Sequence, residues 1–147
     1  MGLVSFPASS LPALVDTSFL VSVYDKRERY HLACMAALNR VSQPLVTCEA
    51  VITEAIYHLG RIPGAPQAIL ASVQEGYLEI PFRLADGASQ VLASYTKYAD
   101  TPCDFADACL IAMANELESG DILTLDGDFK HYRWRRNRAF NLLIPLD

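Results

Sequence analysis

Short runs of mostly apolar residues alternate along the chain with longer segments that have helical periodicity. The short runs are predicted to be strands, at 11–15, 45–47, 77–80, 122–125 and 140–144. The intervening segments are predicted to be helices, at 19–24, 31–38, 49–59, 68–75, 84–98 and 102–118. Apolar strands that alternate with helices are typical of a parallel sheet covered on both faces. The pattern therefore predicts a single α/β domain over residues 1–147, with no internal repeat or linker.

Two helix starts are marked by capping residues. The segment Thr101-Pro102-Cys103-Asp104 predicts a helix with Thr101 as its N-cap, Pro102 at the first helical position and Asp104 in the first turn. Thr47 is predicted to cap the helix at 49–59.

Composition narrows the class of protein. Hydrophobic residues make up 52% of the 147 residues and charged residues 20%, which excludes disordered and coiled-coil chains. No apolar stretch approaches the ~18 residues of a membrane-spanning helix, and no secretory signal is visible. The four cysteines have no CxxC spacing, so a zinc site is not expected. We therefore expect a cytoplasmic protein with reduced thiols and no membrane contact.

The charge is unevenly distributed. The formal net charge is −5, which argues against nucleic-acid binding by global electrostatics. Residues 129–147, however, hold five of the 12 Lys and Arg residues and only one of the 17 Asp and Glu residues. The bases are interleaved with two aromatic residues: Lys130, Tyr132, Arg133, Trp134, Arg135, Arg136 and Arg138. This basic–aromatic segment is either a solvated turn or a contact for phosphates and unstacked bases.

Two aspartates directly follow predicted strands. Asp16 follows Leu14-Val15, and Asp126 follows the strand at 122–125. Ligands of open parallel sheets bind beyond the carboxyl ends of the strands, where both residues are expected. The alternative is that Asp16 caps the next helix and that Asp126 forms an Asp-Gly turn with Gly127.

Three further acids lie on predicted helices. Asp107 stands in a helix that is apolar nearly all round, so its carboxylate should be buried and needs a partner. An Arg partner is disfavoured because residues 84–132 contain no Arg. Asp104 lies one turn earlier and is either a capping residue or part of a site. Glu54 lies within the helix at 49–59 and is either a site residue or a surface residue paired with His58.

Convergence of these acids would require a cation. Two carboxylates ~4 Å apart repel by roughly 4 kcal/mol at an effective dielectric constant near 20. Hard oxygen ligands select Mg²⁺ or Mn²⁺, and a cation held in this way can activate water and stabilise the leaving oxygen of a phosphodiester.

These segments resemble the PIN-domain ribonucleases, a family that includes the VapC-type toxins of bacterial toxin–antitoxin pairs. The matching pieces are Val15-Asp16-Thr17-Ser18-Phe19-Leu20, Thr53-Glu54-Ala55, Asp104-Phe105-Ala106-Asp107-Ala108 and Leu123-Thr124-Leu125-Asp126-Gly127-Asp128-Phe129. The resemblance implies a three-layer α/β/α sandwich with a central, mostly parallel sheet of four to five strands, preceded here by an extension at residues 1–10. It also implies an endoribonuclease that depends on Mg²⁺ or Mn²⁺, with Asp16, Glu54, Asp107 and Asp126 as the acidic quartet and Asp104 as an additional acid. A small antitoxin partner and a homodimer are further implications, while the role of Asp128 stays open.

Three functions are compared. The first is a metal-dependent endoribonuclease whose RNA is held by Arg133, Arg135, Arg136 and Arg138, with Trp134 or Tyr132 stacked on a base. The second is a non-catalytic PIN-like module that binds nucleic acid or protein, which does not require four converging acids. The third is a phosphatase of the haloacid-dehalogenase pattern, which is disfavoured because Ser18 stands where that pattern has a second Asp.

Overall fold

The computed structural model describes residues 11–41 and 44–146, so the predicted extension at 1–10 lies outside the described residues. Within these residues, seven short strands follow one another: β1 (Ala13–Val15), β2 (Leu45–Val46), β3 (Leu78–Glu79), β4 (Asp121–Leu123), β5 (Arg133–Trp134), β6 (Arg138–Ala139) and β7 (Asn141–Leu142). Five of these strands coincide with predicted ones, but each is only two or three residues long.

Six α-helices connect and cover the strands: α1 (Thr17–Tyr24), α2 (His31–Arg40), α3 (Glu49–His58), α4 (Ala65–Gln74), α5 (Leu84–Lys97) and α6 (Phe105–Leu117). None of the helices in the described part of the chain has the length and apolar character needed to cross a membrane.

The central sheet has the strand order β3-β2-β1-β4-β7, and all its pairs are parallel. β1 lies in the middle, between β2 and β4, and its three residues are fully buried. The carboxyl ends of β1 and β4 are adjacent, because Leu14 pairs with Ile122 and Val15 with Leu123. The predicted α/β class with a parallel central sheet is thus observed.

The helix α6 is the most buried of the six. Residues 106–114 are all buried, as its continuous apolar sequence predicts. The helix packs against α5, α3, β1 and β5. Any polar side chain on α6 that faces this packing is therefore held in a fixed position.

Two predicted helix starts are corrected. The helix α6 begins at Phe105 rather than Pro102, and its N-cap is Asp104, whose Oδ1 accepts a hydrogen bond from the backbone N of Asp107 at 2.8 Å. Thr47 does not cap α3: its hydroxyl donates to the carbonyl of Val15 at 2.7 Å and so connects β2 to β1. An Asp carboxylate stabilises the start of α6 in two ways. It accepts a hydrogen bond from a free backbone N–H of the first turn, and its negative charge interacts favourably with the positive end of the helix dipole.

The basic–aromatic segment forms an antiparallel hairpin that the apolar pattern did not predict. β5 and β6 pair through Arg133–Ala139 and Trp134–Arg138. Two residues of the connecting turn, Arg135 and Arg136, have positive φ angles of 38° and 59°. Such turns normally contain Gly or Asn, so the local sequence carries no conventional hairpin signal.

Candidate active site

Three carboxylates from separate parts of the chain meet at the carboxyl edge of the sheet. Asp16 directly follows β1, Asp126 follows β4 after two further residues, and Asp107 lies in the first turn of α6. One carboxylate oxygen from each residue lies within 4.8 Å of the other two. The parallel pairing of β1 with β4 accounts for the first two, and the packing of α6 on β1 accounts for the third.

Asp16 is held by two hydrogen bonds. Its Oδ1 accepts from the backbone N of Thr17 at 2.8 Å, and its Oδ2 accepts from the hydroxyl of Thr124 at 2.7 Å. Asp16 therefore caps α1 and also belongs to the acidic cluster, so both alternatives drawn from the sequence apply to it. Thr124 was missed by the sequence reasoning; its signal is a single hydroxyl in the otherwise apolar run 122–125, completely buried in the structure.

Asp126 is fixed by the turn that follows it. Its Oδ1 accepts from the backbone N of Asp128 at 2.9 Å and caps the short 3₁₀ helix Gly127–Lys130. Its own backbone N donates to the hydroxyl of Thr124 at 2.9 Å. Asp128 thus supports Asp126 through its main chain.

Asp107 has a tyrosine as its partner, not an arginine. The hydroxyl of Tyr132 lies 2.9 Å from Oδ2 of Asp107 and 2.6 Å from the carbonyl oxygen of Pro102. A hydroxyl has one proton, so it can donate to only one of these oxygens at a time. When Asp107 is protonated, its carboxyl group can donate to the Tyr132 hydroxyl while that hydroxyl donates to the Pro102 carbonyl, so both contacts are hydrogen bonds. Within the described residues, no Lys or Arg side chain forms an ion pair with Asp16, Asp107 or Asp126.

The remaining predicted acids lie at the edge of the same cavity. This cavity has a volume of about 540 Å³, and its lining includes Asp16, Glu54, Asp104, Asp107 and Asp126. Glu54 is half-buried on α3, and its Oε1 accepts from the hydroxyl of Thr17 at 3.2 Å. Glu54 and Asp104 stand outside the closest group of three. All five acids that the sequence selected are therefore brought to one cavity, and their individual roles stay a prediction.

The electrostatics of the cluster favour a bound cation. Burial raises the pKa of Asp16 to about 6, and the neighbouring charges of Asp126 and Asp104 add to this. Burial, followed by the charges of Asp104 and Asp16, raises the pKa of Asp107 to about 8. Burial also raises the pKa of Asp126. A divalent cation would take the place of the protons that these groups otherwise retain, and three hard oxygen donors without a cationic side chain fit Mg²⁺ or Mn²⁺.

Comparison with known protein families identifies the family to which this chain belongs. The sequence profile of the PIN domain matches residues 13–135, a range that contains all five acids of the cavity. The chain belongs to the PIN-domain family. The resemblance that the sequence motifs indicated is thereby confirmed.

Two individual VapC proteins are similar to this chain over most of their length. Ribonuclease VapC26 of Mycobacterium tuberculosis is 30% identical over 135 residues, which are 90% of this chain and 93% of the relative. The crystal structure of VapC20 of Mycobacterium tuberculosis, a sarcin-ricin loop cleaving toxin, matches with a TM-score of 0.74 and 21% identity, over 81% of this chain and 93% of that chain. The second likeness supports the PIN-type α/β sandwich as the fold.

One part of the predicted RNA contact in this PIN domain is corrected. Tyr132 is completely buried, and Trp134 is only 7% exposed, with its Nε1 donating to the carbonyl of Ala139 at 3.1 Å. Neither ring is available for stacking on a base. Both aromatic residues of the basic–aromatic segment are core residues of the hairpin, because Trp134 packs on the bare Cα of Gly120 and Tyr132 packs on Phe129.

Proposed function

We propose that this PIN-domain protein is a metal-dependent endoribonuclease and the toxin of a toxin–antitoxin pair. The observation that carries the proposal is the group of three carboxylates, two buried and one half-buried, with oxygens within 4.8 Å of one another. Such a group is costly without a cation, and it lies in an open cavity where a polynucleotide strand can enter. The name of VapC26, a ribonuclease, supports RNA as the substrate.

The residues of the cavity have different proposed roles in phosphodiester hydrolysis. Asp16, Asp107 and Asp126 would hold Mg²⁺ or Mn²⁺, with Glu54 and Asp104 completing the acidic rim. When bound, the cation supplies the Lewis acidity that activates water and stabilises the leaving oxygen. Thr124 orients Asp16, and Tyr132 orients Asp107, each through a hydroxyl within 2.9 Å of a carboxylate oxygen. Fixed partners of this kind hold the ligand oxygens in position.

The same relatives support a proposal for the partners and the place in the cell. VapC20 is described as a toxin, and we extend this role to the present chain. The proposed partners are an RNA substrate, a small antitoxin protein and a second copy of the chain in a homodimer, and the proposed compartment is the cytoplasm. The four arginines of the hairpin, half-buried Arg133 and exposed Arg135, Arg136 and Arg138, are proposed to contact the RNA backbone.

Cleavage of a structured RNA pool tests the nuclease function. The purified protein is incubated with Mg²⁺, with Mn²⁺ or with EDTA, beside the variant Asp107→Asn. We expect cleavage with either cation, none with EDTA, and a loss of at least ~100-fold in the variant, because one ligand of the cation is removed. Asp86→Asn is the matched control, since Asp86 is exposed on α5 and pairs with Arg83.

The outcomes separate the nuclease from the binding module. Full activity in a folded Asp107→Asn variant would contradict the proposed role of the cluster. Binding of RNA without cleavage under any metal condition, together with weak Mg²⁺ binding in calorimetry, would favour a non-catalytic PIN module.

A further inference from the structure

A second cavity lies between α5, α6 and the β5–β6 hairpin. Its volume is about 320 Å³, and its charged lining consists of Lys97, Arg133, Arg135 and Arg136. Among the described residues, no acidic side chain contributes to the lining. This cavity, termed here the hairpin pocket, is therefore a concentrated positive site on an otherwise acidic protein of net charge −5.

Most of the positive charge in the hairpin pocket is not neutralised by the protein. Of its four cations, Arg135 forms an ion pair with Glu118 at 3.2 Å. Within residues 11–41 and 44–146, Lys97, Arg133 and Arg136 form no ion pair. Like charges at close range repel, so three unpaired cations around one cavity are most stable when an anion occupies it.

The backbone of the hairpin turn is held in an unusual conformation. Arg135 and Arg136 both have left-handed φ angles, which long side chains rarely adopt. Both helices fix the turn: the side chain of Asn115 on α6 accepts a hydrogen bond from the backbone N of Arg135, and Lys97 on α5 donates to the carbonyl of Arg136 at 3.3 Å. Backbone strain that the surroundings enforce in this way is typical of binding sites.

The hairpin pocket and the acidic cluster are built on the same helix. Asp107, Ile111 and Asn115 are spaced one turn apart along α6, and the last two line the pocket. Eight residues of α-helix span about 12 Å. Tyr98 also connects the two places: its ring packs edge-on against Tyr132, the partner of Asp107, and its hydroxyl accepts from the backbone N of Arg133 at 2.8 Å.

We propose that the hairpin pocket binds a backbone phosphate of the substrate RNA at a distance from the scissile bond. This inference rests on the proposed nuclease function. The phosphates of an RNA strand that enters the acidic cavity are repelled by its carboxylates. The unpaired cations of the hairpin pocket, about two turns of α6 away from Asp107, offset this repulsion. Guanidinium groups suit a phosphate because they donate several hydrogen bonds in one plane. The pocket adds Lys97, from α5, to the RNA contacts, while Arg138 lies over the ring of Trp134.

RNA binding without cleavage tests this role. A fluorescein-labelled single-stranded 12-nucleotide RNA is titrated with the full chain in EDTA, and fluorescence anisotropy gives Kd at several salt concentrations. The double variant Lys97→Gln/Arg136→Gln should weaken binding at least ~10-fold and reduce the slope of log Kd against log salt by about 0.7, the contribution of one phosphate contact on a single strand.

Two control proteins keep the test specific. Arg61→Gln/Arg83→Gln removes the same charge from two exposed residues outside the pocket and should leave the slope unchanged. Lys97→Arg/Arg136→Lys keeps the charge and should restore most of the binding, and thermal unfolding verifies that all variants are folded.

The result that overturns the proposal is equal weakening by the pocket variant and the control. A second overturning result is displacement of the RNA by a glutamate-rich peptide that binds more tightly than RNA and depends on Lys97 and Arg136, because the pocket would then serve an acidic protein segment. Failure of the nuclease function is recognised separately: RNA would then bind through the pocket in EDTA, yet no metal would support cleavage.

Discussion

Thr124 connects two residues of the acidic cluster through one hydroxyl group. It donates to Asp16 and accepts from the backbone N of Asp126, and it is completely buried. The hydroxyl thus fixes the separation between a side chain at the end of β1 and the main chain after β4. At the scale of single residues, the geometry of the acidic cluster depends on this contact as well as on the acids.

Replacing this hydroxyl with a methyl group tests its contribution. Thr124→Val keeps the shape of the side chain, but it leaves one oxygen and one N–H without their partner. We expect the free energy of unfolding to fall by about 1–3 kcal/mol, and Mg²⁺ affinity and RNA cleavage to fall by roughly 10–100-fold. Urea unfolding and calorimetric Mg²⁺ titration measure the two effects.

Thr96→Val is the matched control, because the Thr96 hydroxyl is exposed on α5 and donates only to the carbonyl of Leu92. Unchanged Mg²⁺ affinity in Thr124→Val would show that Asp16 does not need the hydroxyl for its position.

The acids of the site were predictable from the sequence, but their partners were not. Asp16, Asp107 and Asp126 stand out because a carboxylate in an apolar context is unusual. Thr124 is inconspicuous, because a threonine in a strand is explained by β-propensity alone. The sequence offers Trp134 or Tyr132 for stacking on a base, and it does not reveal that the Tyr132 hydroxyl faces Asp107 from 25 residues away.

At the scale of elements, the β5–β6 hairpin makes one especially close packing contact with the body, between Trp134 and Gly120. A Cβ added to Gly120 would lie 2.1 Å from Nε1 of Trp134 and within 3.0 Å of two more atoms of its ring. The indole therefore occupies the space that any larger residue at position 120 would need. The hairpin can sit against α6 only while this position is glycine.

Gly120→Ala should therefore displace the hairpin. A ring atom cannot be approached so closely, so Trp134 must move out of its buried position, and we expect a loss of about 1–3 kcal/mol of stability, as for overpacked cores. Tryptophan fluorescence should shift to longer wavelength in the native state, because Trp134 is the only tryptophan of the chain.

Gly127→Ala provides the comparison, since nothing lies within 4 Å of a Cβ at that position. If Gly120→Ala and Gly127→Ala had the same stability and emission spectrum, the described packing of the hairpin would be contradicted.

The sequence located the helices and the central strands better than it located their ends. Hydrophobic periodicity places α6 correctly, but the residues before it offer two possible caps, Thr101 and Asp104. The structure shows Asp104 as the cap, since its Oδ1 accepts from the backbone N of Asp107 and the helix begins at Phe105. The hairpin was not predicted, because two arginines occupy turn positions that usually carry Gly or Asn.

At the scale of the whole molecule, the carboxylate cluster makes stability depend on pH. In the metal-free protein, Asp16 and Asp107 have pKa values of about 6 and about 8, against an ordinary value of 3.8. The folded state therefore binds more protons than the unfolded state above pH 4. Stability then decreases as the pH rises from about 4 to about 8, the opposite of the behaviour of an ion-paired carboxylate.

Thermal unfolding in EDTA at pH 6 and pH 8.5 measures this dependence. A difference of one in pKa corresponds to about 1.4 kcal/mol. The cavity is open to solvent, which screens part of the repulsion, so we expect Tm to be lower by at least ~3 °C at pH 8.5.

Asp107→Asn should remove most of this decrease and be more stable than the parent protein at pH 8.5. Excess Mg²⁺ should raise Tm of the parent more at pH 8.5 than at pH 6, because fewer protons compete for the cluster at the higher pH. A parent protein that becomes more stable between pH 6 and pH 8.5 in EDTA would be inconsistent with the raised pKa values.

The arrangement of the central sheet was predicted as a class, but its strand order was not. Alternation of strands and helices indicates parallel pairing, whereas the insertion of β4 next to β1 depends on contacts more than 100 residues apart. This order brings Asp16 beside Asp126, and no local pattern encodes it.

Because the cluster needs residues that follow both β1 and β4, the late position of β4 in the sequence also sets when the proposed nuclease can first act during its own synthesis. A ribosome makes Asp16 early and Asp126 only 110 residues later. At 5–20 residues per second, roughly 5–20 s pass before the last carboxylate exists. A nascent chain that has not reached β4 holds no complete cluster, so the growing polypeptide cannot cut the RNA of the ribosome or the messenger that encodes it. The separation of Asp16 and Asp126 along the chain thereby delays the appearance of the proposed activity until nearly the whole domain has been translated.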